Sequence, residues 1–271
     1  MKRSWYALPY ALWMVLFTLV PLLFVCFYAF TNNAGAFTLE NFVEICRPLY
    51  LPVLLDSMRL AFYCTVICLL VGYPAAYFMA SKDFSNKQIL TVLILVPMWM
   101  NFLLRTYAMM TLFENNGVIN TILESLGFNK IQMIGTEGAV VVGMVYNYLP
   151  FMILPIHTTL KKMDQSVIEA AEDLGASPVR VLSRVVIPMS IPGVVSGITM
   201  VFLPAVTTFA ISRLLSSGMI YLVGDMIEDY FISMNNHHVG SAISLVMMIL
   251  IIFSIGLLRK VDPDGEGGGM W

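Results

Sequence analysis

Six stretches of this chain are too long and too apolar to be solvated by water, and they decide what it can fold into. They fall at residues 5–30, 60–80, 89–113, 139–160, 192–215 and 242–258, each near the run of about 20 apolar residues that a helix needs to cross a bilayer. A charge at mid-span costs about 2.5–3.5 kcal/mol on insertion scales, and Arg105 is the only charged residue well inside any of the six. Composition agrees: 59% of the 271 residues are hydrophobic and 12% charged, against roughly 25% charged in a soluble domain. The expected fold class is therefore all-α: a polytopic membrane protein of about six transmembrane helices. Internal prolines (Pro21, Pro74, Pro97, Pro150, Pro155 and Pro204) would break soluble helices. In a bundle, neighbouring helices satisfy the freed backbone groups.

The net charge of −2 and the absence of a basic run argue against nucleic acid as a partner. The cysteines, Cys26, Cys46, Cys64 and Cys68, include no Cys-x-x-Cys pair and read as buried thiols. Lys2, Arg3 and the apolar run behind them imitate a signal peptide. The uncharged stretch 4–39 greatly exceeds the ~7–15 residue core of one, and reads as a retained anchor.

Lysine and arginine set an orientation. With the N-terminus inside, the inner face holds Lys2, Arg3, Lys82, Lys87, Lys161, Lys162, Arg180, Arg184, Arg259 and Lys260, and the outer face Arg47, Arg59, Arg105, Lys130 and Arg213. That is ten against five of the 15, as the positive-inside rule favours, with both termini cytoplasmic.

Residues 161–191 then form a long cytoplasmic loop. Asp164 or Ser166 is placed to cap a helix, and Ser166 with Glu169 fits a capping box. Val167, Ala170, Ala171 and Leu174 recur as one apolar stripe. Gly175 suits a left-handed stop, and Ser177-Pro178 opens a second short helix, which should run to about residue 187 before Pro188 and Pro192 turn the chain back into the bilayer. The small face at Ala170 and Ala171 would allow close docking; resting on lipid headgroups is the alternative.

Glu169-Ala170-Ala171, three residues, Gly175, nine residues, Val185, one residue and Ile187-Pro188 together resemble the signature loop of binding-protein-dependent ABC importer permeases. Val185 and Ile187 stand where the family usually has Ile and Leu. The resemblance extends over nearly the whole chain, since six spans with this loop before the last two is the family architecture. It implies one permease domain over 1–271, with coupling loop 161–191 and tail 259–271, in a bacterial inner membrane. It also implies partners: two ATPase subunits that dock on the loop, a second homologous permease and an extracytoplasmic substrate-binding protein, besides lipid. No Gly-x-x-x-x-Gly-Lys-Ser/Thr phosphate loop occurs in the chain, so ATP and Mg belong to the partner ATPase, and no cofactor or enzymatic activity is expected here.

Further segments resemble the permeases of spermidine/putrescine importers: Tyr6-Ala7-Leu8-Pro9-Tyr10, Pro97-Met98-Trp99-Met100-Asn101, Leu104-Arg105-Thr106-Tyr107-Ala108 and Val201-Phe202-Leu203-Pro204-Ala205. Relatives for ferric iron, thiamine, opines or phosphonates share part of these. Arg213 stands where polyamine permeases often place Asp. The outer loops carry nine carboxylates, Glu40, Glu44, Asp56, Glu114, Glu124, Glu137, Asp225, Glu228 and Asp229, against five basic residues. They suit a polycation, although positive-inside bias alone leaves such loops acidic.

A polyamine pathway wants aromatic faces and polar oxygens. The candidates are Trp99, Asn101, Tyr107, Tyr146, Asn147, Tyr148, Thr207 and Thr208. Asn147 at mid-span needs a partner or water, as a pathway residue or as an inter-helix hydrogen bond. Arg105 is expected to snorkel to the outer interface. His157, His237 and His238 lack a third ligand for a metal. A gradient-driven secondary transporter would need mid-membrane carboxylates, which the spans lack. A scaffold without transport would leave the polar span residues unexplained.

Overall fold

A computed structural model describes residues 8–81 and 87–259. Five helices in it are long and apolar enough to cross a membrane, and a bent pair supplies a sixth crossing. In chain order they are α1 (Pro9–Ala29), α2 (Tyr50–Ala80), the pair α3 (Lys87–Trp99) and α4 (Phe102–Phe113), α5 (Glu137–Lys162), α6 (Pro178–Val206) and α7 (His237–Gly256). Lys2, Arg3, Lys82 and Lys260, which entered the orientation count, lie outside the described residues, as does the tail beyond 259.

Helices α2, α5 and α6 share the longest surfaces and hold the core. Between lipid-facing helices burial from water gives little net drive, so close backbone approach must supply the attraction. The sequence Gly193-Val194-Val195-Ser196-Gly197 provides it. A β-carbon on Gly193 would lie 2.9 Å from the Pro155 carbonyl oxygen, and one on Gly197 3.2 Å from that of Met152. On the same side of α5, Gly72 of α2 approaches the side chain of Met152, where an added carbon would lie 3.0 Å from Cγ. Cys64 and Cys68 are buried in this core, whereas Cys46 is exposed and Cys26 only half-buried.

The third predicted span is not one helix. The chain bends by 98° across the break between α3 and α4. Pro97 lies in the last turn of α3, and Asn101 caps α4, its Oδ1 accepting from the Leu103 and Leu104 amides at 2.9 and 3.3 Å. An amide side chain thus satisfies donors that lipid could not. The fifth span differs in the other direction. Pro188 and Pro192 do not turn the chain; both lie in one continuous helix from Pro178 to Val206. A π turn at Leu182–Val186, in which the Ile187 amide reaches back to the Leu182 carbonyl, contains Arg184, whose carbonyl the Pro188 ring would otherwise strike. The turn at Val15–Leu19 stands in the same relation to Pro21. Helix α6 ends at Thr207, and Ala210–Leu215 resumes as a separate short helix, α8. The fifth span is thereby interrupted too.

Gly193→Ala should lower the apparent melting temperature of the detergent-solubilised protein by several degrees, because its methyl meets backbone, while Gly138→Ala, whose nearest neighbour would be 3.8 Å away, should leave it within about one degree. Differential scanning fluorimetry decides, and equal effects would contradict the packing.

Candidate functional site

The loop at one end of the bundle is built as a docking surface. Helix α9 (Gln165–Asp173) starts at Asp164, whose carboxylate accepts from the Ser166 amide at 2.9 Å. The cap is therefore Asp164, and Ser166 lies inside the helix rather than at its cap. This hydrogen bond holds the Asp164 carboxyl below the usual carboxylate range. Gly175 stops the helix at φ +80°, its amide on the Glu172 carbonyl at 2.8 Å and the Ala176 amide on that of Ala171 at 3.1 Å. Ser177 is the N-cap and Pro178 the first residue of α6, as expected.

The stripe splits between two faces. Val167 is 40% and Leu174 89% exposed, with Val179 beside the turn at 75%, and Ala170 is exposed with them. Ala171 and Ile168 instead turn inward against the bundle. The outward patch is thus Val167, Ala170, Leu174 and Val179. Glu169 and Glu172 border a polar cleft of about 400 Å³ with Tyr77, Ser81, Gln165 and Met163. Val185 is half-buried, and Ile187 and Pro188 are exposed on the first turns of α6. Both halves of the signature therefore lie at one end of the molecule.

The pathway candidates separate likewise. Tyr148 is 7% and Thr208 5% exposed; the Tyr148 hydroxyl donates to the Pro204 carbonyl at 3.3 Å, with the Thr208 hydroxyl beside it and Arg105 within electrostatic reach. Asn147 is 1% exposed. Its amide nitrogen donates to Gly143 in its own helix at 2.9 Å, and its Oδ1 has no partner, so it forms no inter-helix bond. Thr207 is half-buried, its hydroxyl on the Leu203 carbonyl at 3.1 Å. Trp99, Tyr107 and Tyr146 face outward, and Asn101 serves as the cap of α4. Arg105 does not snorkel: it is 6% exposed, with Nε and Nη1 buried and unpartnered.

At the opposite end lies a cluster that sequence reasoning underrated. Arg213 does not project as a free cation. Its guanidinium meets Asp225 at 3.8 Å, Glu228 at 2.8 Å and Asp229 at 3.1 Å, leaving the group with excess negative charge. Asp225 is 2% exposed, accepting on Oδ2 from the Ser212 hydroxyl at 2.7 Å and the Leu222 amide at 3.0 Å. Burial raises its carboxyl pKa, against the lowering effect of these bonds and of Arg213. The available signal was Asp225 three residues after Leu222, the spacing at which a carboxylate can reach back to a helix start.

A bundle with two interrupted spans and a protruding helix at one end has the form of a membrane transport component. The chain belongs to the family described as binding-protein-dependent transport system inner membrane component, which it matches over residues 72–264. It is 36% identical over 252 residues to the spermidine/putrescine transport system permease protein PotB of Haemophilus influenzae, covering 89% of this chain and 88% of that protein. It is 35% identical over 247 residues to PotB of Escherichia coli K12, covering 88% and 90%. Among solved structures, a bacterial ABC transporter involved in import of the acidic polysaccharide alginate superposes with TM-score 0.76 at 15% identity, covering 96% of this chain and 97% of that one. The MetNI methionine ABC transporter in an inward-facing conformation superposes with TM-score 0.59 at 17%, covering 78% and 95%.

Because Asp225 holds its proton to a higher pH in the folded than in the unfolded chain, its contribution favours folding at acidic pH. That contribution is lost as pH rises through the folded pKa. The melting temperature of the wild type should therefore fall relative to that of Asp225→Asn, by a few degrees, as pH is raised from about 4 toward neutral. Parallel curves would show that this carboxyl is not the titrating group.

Proposed function

We propose that this chain is one permease of an ATP-driven polyamine importer, carrying spermidine or putrescine, with both termini in the cytoplasm. The observation that carries the reading is the 36% identity to a spermidine/putrescine permease over 89% of the chain. The outer end of the bundle supports a cationic solute, since three carboxylates there surround the single guanidinium of Arg213. Three buried or half-buried polar residues, Tyr148, Thr207 and Thr208, lie by the interruption of the fifth span. At membrane depth, broken backbone is tolerated where it is buried in protein or lines a water-filled cavity, and discontinuous helices form the solute sites of transporters. These residues, with Asn147, are the pathway residues of choice. Trp99, Tyr107 and Tyr146, on the outside of this chain, would contribute from a face shared with a second permease.

Glu169, Ala170, Ala171, Gly175, Val185, Ile187 and Pro188 couple the bundle to a separate ATPase, which binds ATP and Mg. Supporting this, the loop presents Leu174 and Val179 to solvent at 89% and 75% exposure, a patch that wants a protein cover. Docking of two ATPase subunits and delivery by an external binding protein complete the cycle: ATP binding draws the loops together and opens the bundle outward, and hydrolysis resets it.

The test is uptake of radiolabelled spermidine into vesicles holding the complete transporter. Uptake driven by ATP and indifferent to ion gradients is expected; gradient-driven uptake without ATP would defeat the proposal, and ATP-driven uptake of a different solute class would leave only its transport part standing. In the same assay Gly175→Asn should retain most activity, since Asn tolerates a left-handed φ. Gly175→Val should lose it while still inserting, because a β-branched residue there costs at least the ~1–2 kcal/mol of the left-handed conformation. Normal uptake by Gly175→Val would remove Gly175 from the coupling mechanism.

A further inference from the structure

An uncompensated guanidinium lies inside the bundle, and the transport reading gives it no task. Arg105 is on the second turn of α4, next to the 98° break. It is 6% exposed, and neither Nε nor Nη1 has a hydrogen-bond partner. Among the described residues no ion pair includes it. The neutral Tyr148 hydroxyl lies within its electrostatic reach, and Thr106, its fully buried neighbour in sequence, is bonded to the Phe102 carbonyl at 3.0 Å. Arginine cannot shed its proton to escape such a site. A structural arginine would be paired with a carboxylate or led to the interface; this one is neither.

A second field adds to it. Helix α4 runs over 12 residues, and its N-terminus at the break carries the positive end of a helix dipole. An arginine together with the positive end of a half-helix is an arrangement by which membrane pores repel protons and other cations. The charge also stands where the chain's irregular backbone gathers. Tyr148, within electrostatic reach of Arg105, bonds to Pro204 on the last turn of α6, directly before the break at Thr207.

We propose that Arg105, with the N-terminus of α4, is a fixed electrostatic barrier that keeps protons and monovalent cations from leaking through the closed bundle. This deepens the transport reading and rests on it. A carrier for polycations must offer oxygens and aromatic faces to positive charge, and the same lining would favour small cations whenever the path is wetted. A permanent charge, buried and without an ion-pair partner, opposes them. It yields only when the helices separate and water screens it.

The experiment uses the complete transporter in potassium-loaded proteoliposomes with a trapped pH dye. Proton leak is read under a valinomycin potential without ATP, and ATP-driven spermidine uptake is read separately. Arg105→Gln removes the charge, Arg105→Lys keeps it, and Met109→Glu, one turn along the same helix, neutralises it with the guanidinium in place. Proton leak should rise at least tenfold in Arg105→Gln and Met109→Glu and stay within about twofold of wild type in Arg105→Lys. Size-exclusion chromatography confirms assembly, and if Arg105→Gln does not assemble, Met109→Glu carries the test. Wild-type leak in both charge-neutral variants would overturn the proposal. So would equal leak in Arg105→Lys and Arg105→Gln, which would mark a packing defect. Failure of the wild type in the ATP-driven assay would instead strike the importer reading, while the leak comparison stands on its own.

Discussion

The close approach of the fifth span to the fourth is the contact on which the rest of this molecule depends. Gly193 and Gly197 bring α6 against the Pro155 and Met152 carbonyls, at distances tighter than ordinary van der Waals contact for a β-carbon. Gly143 of α5 is as tightly covered from the other direction, by Ile211 and Leu215 of α8. Helix α5 is thus clasped on two faces, by the two parts of the interrupted fifth span. The bend at Thr207–Phe209 lets one span reach both faces. Gly224 closes the arrangement, since any β-carbon there would strike the Thr207 and Thr208 carbonyls at 2.5 and 2.4 Å.

Irregular backbone inside a bilayer needs local partners, and this chain draws them from nearby side chains. Asn101 caps α4 at the break, Thr207 bonds back to Leu203, and Asp225 takes the Leu222 amide together with the Ser212 hydroxyl. The π turns ahead of Pro21 and Pro188 do the same work without side chains, by lengthening the backbone ring where a proline would collide. Polar residues that look functional in the sequence therefore divide in two. Some, such as Asn101, are spent on the backbone; others, such as Arg105 and the Asn147 oxygen, have no partner.

That division explains how much was legible beforehand. Hydropathy alone finds the spans, because lipid imposes a length and a composition that local detail cannot override. Capping chemistry finds the loop: Asp164, Gly175, Ser177 and Pro178 act as their types suggest. The breaks were missed because an apolar count over 89–113 is blind to a bend, and a proline reads as a turn where a π turn absorbs it. The turning of Ala171 inward, away from Ala170, depends on which side of α9 meets the bundle, and a single stripe does not encode that. The pairing of Arg213 with Asp225, Glu228 and Asp229 joins residues 12 to 16 apart through a fold-dependent reversal, invisible to charge counted by loop.

The continuity of α6 has a mechanical meaning. From Pro178 to Val206 it is one helix of 29 residues, about 43 Å at 1.5 Å per residue, and its glycine contacts with α5 fall near the middle. A stiff rod held at its centre is a seesaw. Pushing the foot sideways, at the end that carries the exposed loop, swings the head the opposite way, and the head is where the fifth span breaks beside Tyr148 and Thr208. A displacement applied outside the bilayer would thus arrive, reversed in direction and nearly undiminished, at the polar residues within it.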